Sequence, residues 1–461
     1  MAYQYRVVEL REKMIGGKVS GVAVLNSRSG VGTGQGLTGS VSGVAGGFGT
    51  VQGSTQAGGE RGAVGYFGSV TAMRTDRFLD QVSLDNLHNR GSFTRGFGRF
   101  DARLGDRSHL RANAMGGRSS FELANLRSQQ AAGQDQRQVL SDASLWTTWL
   151  RTLGTSATLD STVGYRRTTA VLRPSAGDTP VTAAQNRELS TLTALTRYTR
   201  HSGPSVVRVG VEYRRFPVAE HFTMALTSPA FNAPGSEGYN AALLPHDLTR
   251  GGRPFAFDER RTGTHGGAFA EWRVSVGTLS TTLGIRHDEY RFLVQGRQLQ
   301  PRVGVAVRIP GHDVVLRASY NRNYQTPPNE NLLLSSSEAA SRLAPASVRD
   351  ALGGAYRPLR PERQHTAEVG AQFPVGSALT MDVSAYGKTS RDQQDNNNFF
   401  DTGIIFPTTL RRIDVRGGEA RLSLLPRRGW SGSVSVTTSR ALDRKSTRLN
   451  SSHIPLSRMP S

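Results

Sequence analysis

The sequence predicts an all-β fold, a transmembrane antiparallel β-barrel, and three observations carry that reading. Apolar and polar residues alternate with a period of two in segment after segment. The connections between those segments are alternately short and long. No apolar run approaches the ~18 residues of a membrane helix, and the mean hydropathy is −0.41. A barrel keeps its average hydropathy low because polar lumen residues alternate with lipid-facing ones.

At 461 residues the chain would make about three ordinary domains, but all-β barrels run longer as single units. The absence of cysteine excludes a disulfide scaffold, a thiol nucleophile and thiolate-ligated zinc or iron–sulfur sites. Glycine is abundant, at 52 residues, and the formal charge is +21. A basic, glycine-rich chain suits either a nucleic-acid binder or a barrel. The lysines are Lys13, Lys18, Lys388 and Lys445, which leaves 53 arginines. Those arginines are scattered one or two to a strand, as at Arg99, Arg103, Arg111, Arg302, Arg308 and Arg317. A nucleic-acid interface gathers its cations into a stripe and interleaves stacking aromatics. A polar channel wall, or strand ends near charged lipid headgroups, explains the scatter better.

The alternation is explicit in several places. Leu110, Ala112 and Ala114 oppose Arg111 and Asn113, and Val303, Val305, Val307 and Ile309 oppose Arg302, Gly304, Ala306 and Arg308. Ala367, Val369, Ala371 and Phe373 oppose Glu368, Gly370 and Gln372, and Leu379, Met381, Val383 and Ala385 oppose Thr380, Asp382 and Ser384. The pattern predicts seventeen strands, at 37–47, 50–58, 63–75, 95–104, 107–116, 139–152, 155–170, 187–200, 205–215, 263–275, 278–291, 298–308, 313–322, 364–373, 377–388, 410–424 and 430–440. Most are about ten residues or longer, enough to cross a bilayer at ~45° tilt. Short turns fall at Gly58–Gly62, Gly105–Asp106, Leu153–Gly154, His201–Pro204, Val276–Gly277, Ile309–His312, Pro374–Gly376 and Leu425–Gly429. Between them lie longer loops at 76–94, 117–138, 171–186, 216–262, 323–363 and 389–409, with a brief one at 292–297. A soluble sandwich has no reason to place every tight turn at one end. An outer-membrane barrel does, with short periplasmic turns and long extracellular loops.

Enzyme chemistry finds no constellation in the sequence. Gly34-Gln35-Gly36-Leu37-Thr38-Gly39 matches a phosphate-binding glycine pattern, but a β pattern follows it where a helix should open. Of His287-Asp288-Glu289, at most His287 and Glu289 share a strand face, and a solvated strand end is the plainer reading. Asp392, Asp395 and Asp401, with Asn396, Asn397 and Asn398, resemble an oxygen cluster suited to calcium, against which stands an ordinary polar loop. Arg214, Arg215, Glu220 and His221 border the longest loop and are candidate ligand contacts by position. Trp146, Trp149, Trp272 and Trp430 lie where an interfacial aromatic girdle would place some of them; ordinary strand packing is the alternative. No catalytic, cofactor or metal residue is therefore assigned, and ligand binding is assigned to the long loops without naming residues.

Three stretches resemble TonB-dependent outer-membrane receptors. Residues Ile15-Gly16-Gly17-Lys18-Val19-Ser20-Gly21-Val22-Ala23-Val24-Leu25-Asn26-Ser27-Arg28-Ser29-Gly30 are similar to the last strand of the receptors' plug domain. Gly39-Ser40-Val41-Ser42-Gly43 and Gly46-Gly47-Phe48-Gly49-Thr50 resemble the first barrel hairpin. Thr75-Asp76-Arg77-Phe78-Leu79, Gly133-Gln134-Asp135-Gln136-Arg137-Gln138, Arg317-Ala318-Ser319-Tyr320-Asn321-Arg322-Asn323-Tyr324 and Leu359-Arg360-Pro361-Glu362 resemble receptor strands and loops. The carboxypeptidase-regulatory-type (Oar-like) receptors are the most similar.

The resemblance implies uptake of a scarce extracellular small molecule, saccharide or peptide, energised by the TonB complex, in a bacterial outer membrane. It implies outer-membrane lipid as a partner, no cofactor and no nucleic acid. It divides the chain into a plug remnant at 1–30, an incomplete barrel at 31–442 with about 17 of an expected 22 strands, and a non-native tail at 443–461 that resembles translated adapter DNA. A natural basic tail is the alternative for that last segment. No signal peptide and no TonB contact peptide is recognised, so this stretch by itself is expected not to transport actively. A passive porin-like channel and a soluble all-β polysaccharide-binding protein are the competing readings.

Overall fold

The computed structural model describes residues 3–8, 22–32, 36–236, 239–327, 329, 332–343, 359–398, 405–427 and 429–443. Two short strands, β1 (Tyr3–Val8) and β2 (Val22–Ser27), pair antiparallel as a separate ribbon. The remaining strands form one wall. In chain order they are β3 (Gly36–Gly46), β4 (Thr50–Arg61), β5 (Val64–Thr75), β6 (Gly91–Arg103), β7 (Ser108–Glu122) and β8 (Arg137–Leu153). Then come β9 (Ala157–Arg173), β10 (Val181–Ser202), β11 (Ser205–Leu226), β12 (Phe255–Val276), β13 (Leu279–Arg291) and β14 (Gln295–Ile309). The last are β15 (Val314–Gln325), β16 (Glu362–Val375), β17 (Leu379–Asn398), β18 (Ile405–Arg427) and β19 (Trp430–Asp443). The seventeen predicted barrel strands are all present.

The strand order is that of a closed barrel in which β19 returns beside β3. Antiparallel registers join each consecutive pair from β3 to β19. Among the described residues no such register spans β19 and β3, and both strands are exposed along their described side chains. Strand direction explains the difference. β3 and β19 are the first and seventeenth of an alternating series, so they run the same way, and the antiparallel ladder of the rest of the wall cannot continue between them.

Eight tight turns share one end; the three-residue connections 47–49 and 292–294 lie at the other. Each of those eight turns carries a glycine at positive φ: Gly62, Gly105, Gly154, Gly203, Gly277, Gly311, Gly376 and Gly429. Side chains rarely adopt that conformation, which glycine takes without steric penalty.

Outward and inward faces follow the pleat. On β11, Val207, Val209, Val211 and Tyr213 are 39–59% exposed, and the next outward residue is Arg215. That run of about ten residues, tilted, covers the ~25 Å apolar band of an outer-membrane barrel. Leu283 and Ile285 on β13, Leu192 on β10 and Val163 and Tyr165 on β9 continue the band. Trp149, Trp272 and Trp430 face outward within a few residues of the tight turns, the place of one aromatic girdle; Trp272 donates its indole N–H to Ser205 Oγ at 2.6 Å. Trp146 faces the lumen instead and lies across Gly164.

The long strands revise the predicted boundaries. β10, β11 and β12 each run 22 residues, roughly twice what a bilayer requires, so the loops shrink to 76–90, 123–136, 174–180, 227–254, 292–294 and 326–361. Outside the membrane the outward side chains turn mostly polar while inward ones such as Phe216, Val218, Phe222 and Met224 are apolar and buried, so the alternation reverses phase although the backbone ladder continues. No helix of the described residues is long and apolar enough to cross a membrane.

The lipid band yields a prediction. Val209→Arg is expected to destabilise the folded barrel by about 2–4 kcal/mol, as for a cation near the bilayer midplane, while His221→Arg, above the band, costs less than about 1 kcal/mol. Urea titration in lipid vesicles, followed by heat-modifiable migration, measures both.

Candidate functional site

The lumen wall is polar and its charges are paired. Arg99 donates to Asp101 at 2.6 and 2.9 Å, Arg197 to Asp160 at 2.8 Å, Arg208 to Glu271 at 3.2 Å, and Arg317 to Asp382 at 2.9 and 2.5 Å. Arg99 and Asp101 also hold the segment after β2: Arg99 Nη1 donates to the Ser27 carbonyl at 2.6 Å, and Ser29 Oγ donates to Asp101 Oδ2 at 2.8 Å. Residues 27–29 are thereby fastened to the inner wall.

The deepest of these networks centres on Asp288, which is 0% exposed. Arg286 grips it with a two-pronged contact, Nε to Oδ2 and Nη2 to Oδ1, both at 2.7 Å, and reaches Glu212 at 3.0 Å. His265 Nε2 lies 2.9 Å from Asp288 Oδ1, and Gln300 donates to Oδ2. A Cβ on Gly267 would stand 2.5 Å from Arg286 Nη2, so glycine at that inward position makes room for the pair. Gly370 does the same beneath Arg317.

Above the band, two long loops fold inward onto the wall. Loop 326–361 contributes helices α1 (Leu332–Ser335) and α2 (Glu338–Leu343), and loop 227–254 contributes two 3₁₀ turns, Ala241–His246 and Leu248–Arg250. Leu243, Leu334, Ala340 and Leu343 pack with Leu172, Val181, Phe222, Met224 and Leu226, all 4% exposed or less. Leu333 joins Phe216, Val218, Tyr290 and Tyr324 in a second cluster. Polar contacts fix the docking: Asn240 Nδ2 donates to the Arg342 carbonyl at 2.8 Å, and Tyr290 Oη to Asn329 Oδ1 at 3.0 Å. The buried Glu220 accepts from Leu334 N–H at 3.0 Å and from Gln185 Nε2 at 2.7 Å. Burial pushes the Glu220 carboxyl above the ordinary range against those two bonds.

Beside this roof a cavity of about 350 Å³ opens on the lumen side of β8–β10. Leu140, Asp142, Arg166, Thr168, Arg187 and Leu189 line it, which brings two guanidinium groups and one carboxylate to a space of ligand size. A separate recess of about 290 Å³ involving Tyr165, Leu192, Arg215 and Pro217 is on the outer surface, over the upper edge of the lipid band. It faces away from any transport route through the lumen.

The residues singled out in the sequence separate in space. Arg214 pairs with Glu212 in the lumen, and Glu220 is buried under the roof. Arg215 and His221 face outward, with His221 Nδ1 3.6 Å from Asp258. All four lie within β11 rather than at a loop edge. His287 and Glu289 share the outer face, where Arg291 binds Glu289 at 2.8 Å; it is Asp288 between them that enters the buried network. Asp392 lies in β17 at φ 55°, the side chains of Asp395 and Asn396–Asn398 are not described, and Asp401 lies outside the described residues with the tail 444–461. Gly34 and Gln35 of the glycine motif are also outside them, and Gly36 opens a strand. Arg166 and Arg187 escaped the sequence reading because scattered arginine carries no local signal.

A family profile described as the β-barrel of TonB dependent receptor-like proteins matches residues 63–460. The chain belongs to that family. Solved structures with the same fold include a copper transporter, OprC, at TM-score 0.70 and 14% identity, covering 96% of this chain and 67% of that one. The FrpB iron transporter of Neisseria meningitidis superposes at TM-score 0.60 and 14% identity, covering 95% and 67%. The siderophore receptor PirA of Pseudomonas aeruginosa gives 0.62 and 14%, covering 93% and 70%. This chain therefore spans about two thirds of the length of these transporters. No curated protein matches it in sequence. The chain is an outer-membrane receptor barrel, a transporter fold and not an enzyme.

Two predictions come from the networks. Arg286→Met leaves Asp288 buried without its main partner and is expected to cost about 3–5 kcal/mol, with Arg286→Met/Asp288→Leu recovering most of it in equilibrium unfolding. For Glu220, a folded-state pKa above the undocked value means that docking of Leu332–Ser335 is strongest below the ordinary glutamate pKa and weakens as pH rises through the raised one. Limited proteolysis across 332–343 as a function of pH reads this, and Glu220→Gln is expected to flatten the profile.

Proposed function

We propose that the complete protein takes up a scarce extracellular ligand through this barrel, energised by the TonB complex, and that the ligand is a small molecule bearing acidic groups. The observation that carries the proposal is the lumen-side cavity of the β8–β10 wall in which Arg166 and Arg187 join Asp142. Guanidinium forks recognise carboxylate-type groups in two-pronged contacts, and a metal-loaded anionic chelate combines that chemistry with the size of the cavity. The copper, iron and siderophore transport named for the structural neighbours supports a metal-bearing cargo.

In this reading residues 1–30 include the end of a plug, with Ser27 and Ser29 fastened to the wall through Arg99 and Asp101, and residues 31–442 are barrel, which β19 extends to Asp443; the family profile runs on to residue 460, which weighs against a foreign tail. Placement among the Oar-like receptors rests on the glycine–phenylalanine hairpin tip, Gly46–Gly49, and the motifs that follow. A porin-like channel is disfavoured by the inward-folded roof on β10–β13, which narrows the passage a passive solute would take.

Binding of a ferric hydroxamate and a ferric catecholate to the protein in detergent micelles, followed by tryptophan fluorescence, tests the cargo class. Arg166→Gln/Arg187→Gln is expected to weaken binding about tenfold or more, the equivalent of ~1.4 kcal/mol. Unchanged affinity would sink the proposed cavity. In cells carrying the full gene, uptake that survives collapse of the inner-membrane proton gradient would instead point to a passive channel.

A further inference from the structure

Three ligand-type side chains converge on the extracellular rim away from the lumen cavity. His88 comes from the loop after β5, Glu122 from the end of β7, and Asp135 from the loop before β8. Their donor atoms lie within 4.8 Å of one another. Each is held by a group outside the trio. Glu122 Oε2 accepts the Arg90 backbone N–H at 3.0 Å, and the Asp135 N–H donates to Ser175 Oγ at 2.9 Å. His88 Nδ1 faces the Leu123 carbonyl at 2.8 Å.

That last contact fixes the chemistry of the ring. A carbonyl oxygen only accepts, so Nδ1 carries the proton and donates. In the neutral ring Nε2 is then a lone pair, yet it faces Asp135 Oδ1 at 2.7 Å. Two electron-rich atoms at that distance require a cation between them, either a second proton on the ring or a metal ion. An imidazole whose far nitrogen donates to a carbonyl is the oriented form that metal ligands take. Arg137 stands by as the alternative positive charge, its Nε 3.0 Å from Asp135 and its Nη2 3.6 Å from Glu122, with half its side chain exposed.

We infer that His88, Glu122 and Asp135 bind a divalent first-row transition ion that ties loop 76–90 to loop 123–136. One imidazole nitrogen and two carboxylates form a donor set suited to Zn²⁺ or its neighbours in the first row rather than to soft monovalent copper. Metal–ligand bonds of about 2.0–2.2 Å let ligands up to about 4 Å apart share an ion, and rotation of the half-exposed Asp135 side chain closes the remainder. Water completes the coordination. Nε2 would be the ring's ligand atom, and Arg137, half exposed, has room to move away from the carboxylates.

Zinc titration of the folded protein in detergent micelles, by calorimetry in buffers of different ionisation enthalpy, tests this. One zinc per chain is expected. His88→Gln and Glu122→Gln, each confirmed as folded by heat-modifiable migration, are expected to lower zinc affinity by about tenfold or more, and Arg137→Gln to raise it. Zinc binding unchanged in both ligand variants, or no wild-type binding at about 1 mM zinc, a Kd limit near −4.1 kcal/mol, overturns the site.

Discussion

Backbone hydrogen bonding in a medium without water is the constraint on which the rest of this protein depends. In hydrocarbon each unpaired N–H or C=O costs several kcal/mol, so the strands must be joined edge to edge through the whole bilayer depth. Antiparallel pairing with tight turns meets that demand from β3 to β19 without interruption. It also imposes a parity. An alternating wall meets itself antiparallel only with an even number of strands, and in this wall the first and last run in the same direction. β3 and β19, the two strands that meet there, are exposed along their described side chains, with Val41 at 84% and Val434 at 68%.

Once the pleat is fixed, the two faces answer to different solvents. The outer face is apolar over the ~25 Å of the band and polar beyond it. The inner face can carry charge because lumen water and opposite charges are both at hand. Arginine dominates there for a geometric reason: its planar fork spans neighbouring strands and grips carboxylates with two bonds at once, as Arg286 does with Asp288 and Arg317 with Asp382. Forks lying flat against the wall need inward positions without side chains, and Gly267 and Gly370 provide them. Part of the glycine content thus serves the arginine forks; other glycines take positive φ at turns or make room for aromatic rings, as Gly164 does for Trp146.

The strand count, the handed alternation of turns and loops, and the membrane reading were all legible in the sequence, because lipid on one side and water on the other write a period of two into every crossing strand. The strand ends were not. Glu220 and His221 read as loop residues, yet they are strand residues of β11: above the membrane the outer face turns polar while the inner face stays apolar under the roof, at Phe216, Val218, Phe222 and Met224, so the phase of the alternation reverses. The cavity residues were illegible for a related reason. Arg166 and Arg187 are 21 positions apart and meet only because the β9–β10 hairpin sets Ala170 beside Arg187 and Arg166 beside Thr191. His88 and Asp135 are likewise brought together across two strands, β6 and β7, a juxtaposition that no local spacing encodes.

The rim of the barrel is built in two chemically different halves, and the difference bears on how it could open. Over β9–β16 the loops are held by apolar burial: Leu332, Leu333 and Leu334 are each 2% exposed or less, and each full burial of this kind contributes about 1.5–3 kcal/mol. Such contacts have no preferred direction, so this roof can shift over an entering solute as far as its few hydrogen bonds, Asn240 to Arg342, Tyr290 to Asn329 and Leu334 to Glu220, allow. Over β5–β8 the loops are held by directional polar contacts, among them Asn89 to the Leu79 carbonyl and Asn125 to the Gln134 carbonyl, both at 2.8 Å. Displacing these by an ångström forfeits them, so that half resists motion. The cavity between β8 and β10 lies where the stiff half meets the adaptable one. A ligand seated there would have fixed polar groups to orient it on one side and a deformable apolar cover on the other, the division of labour a receptor needs if it is to grip its cargo and still let it pass inward.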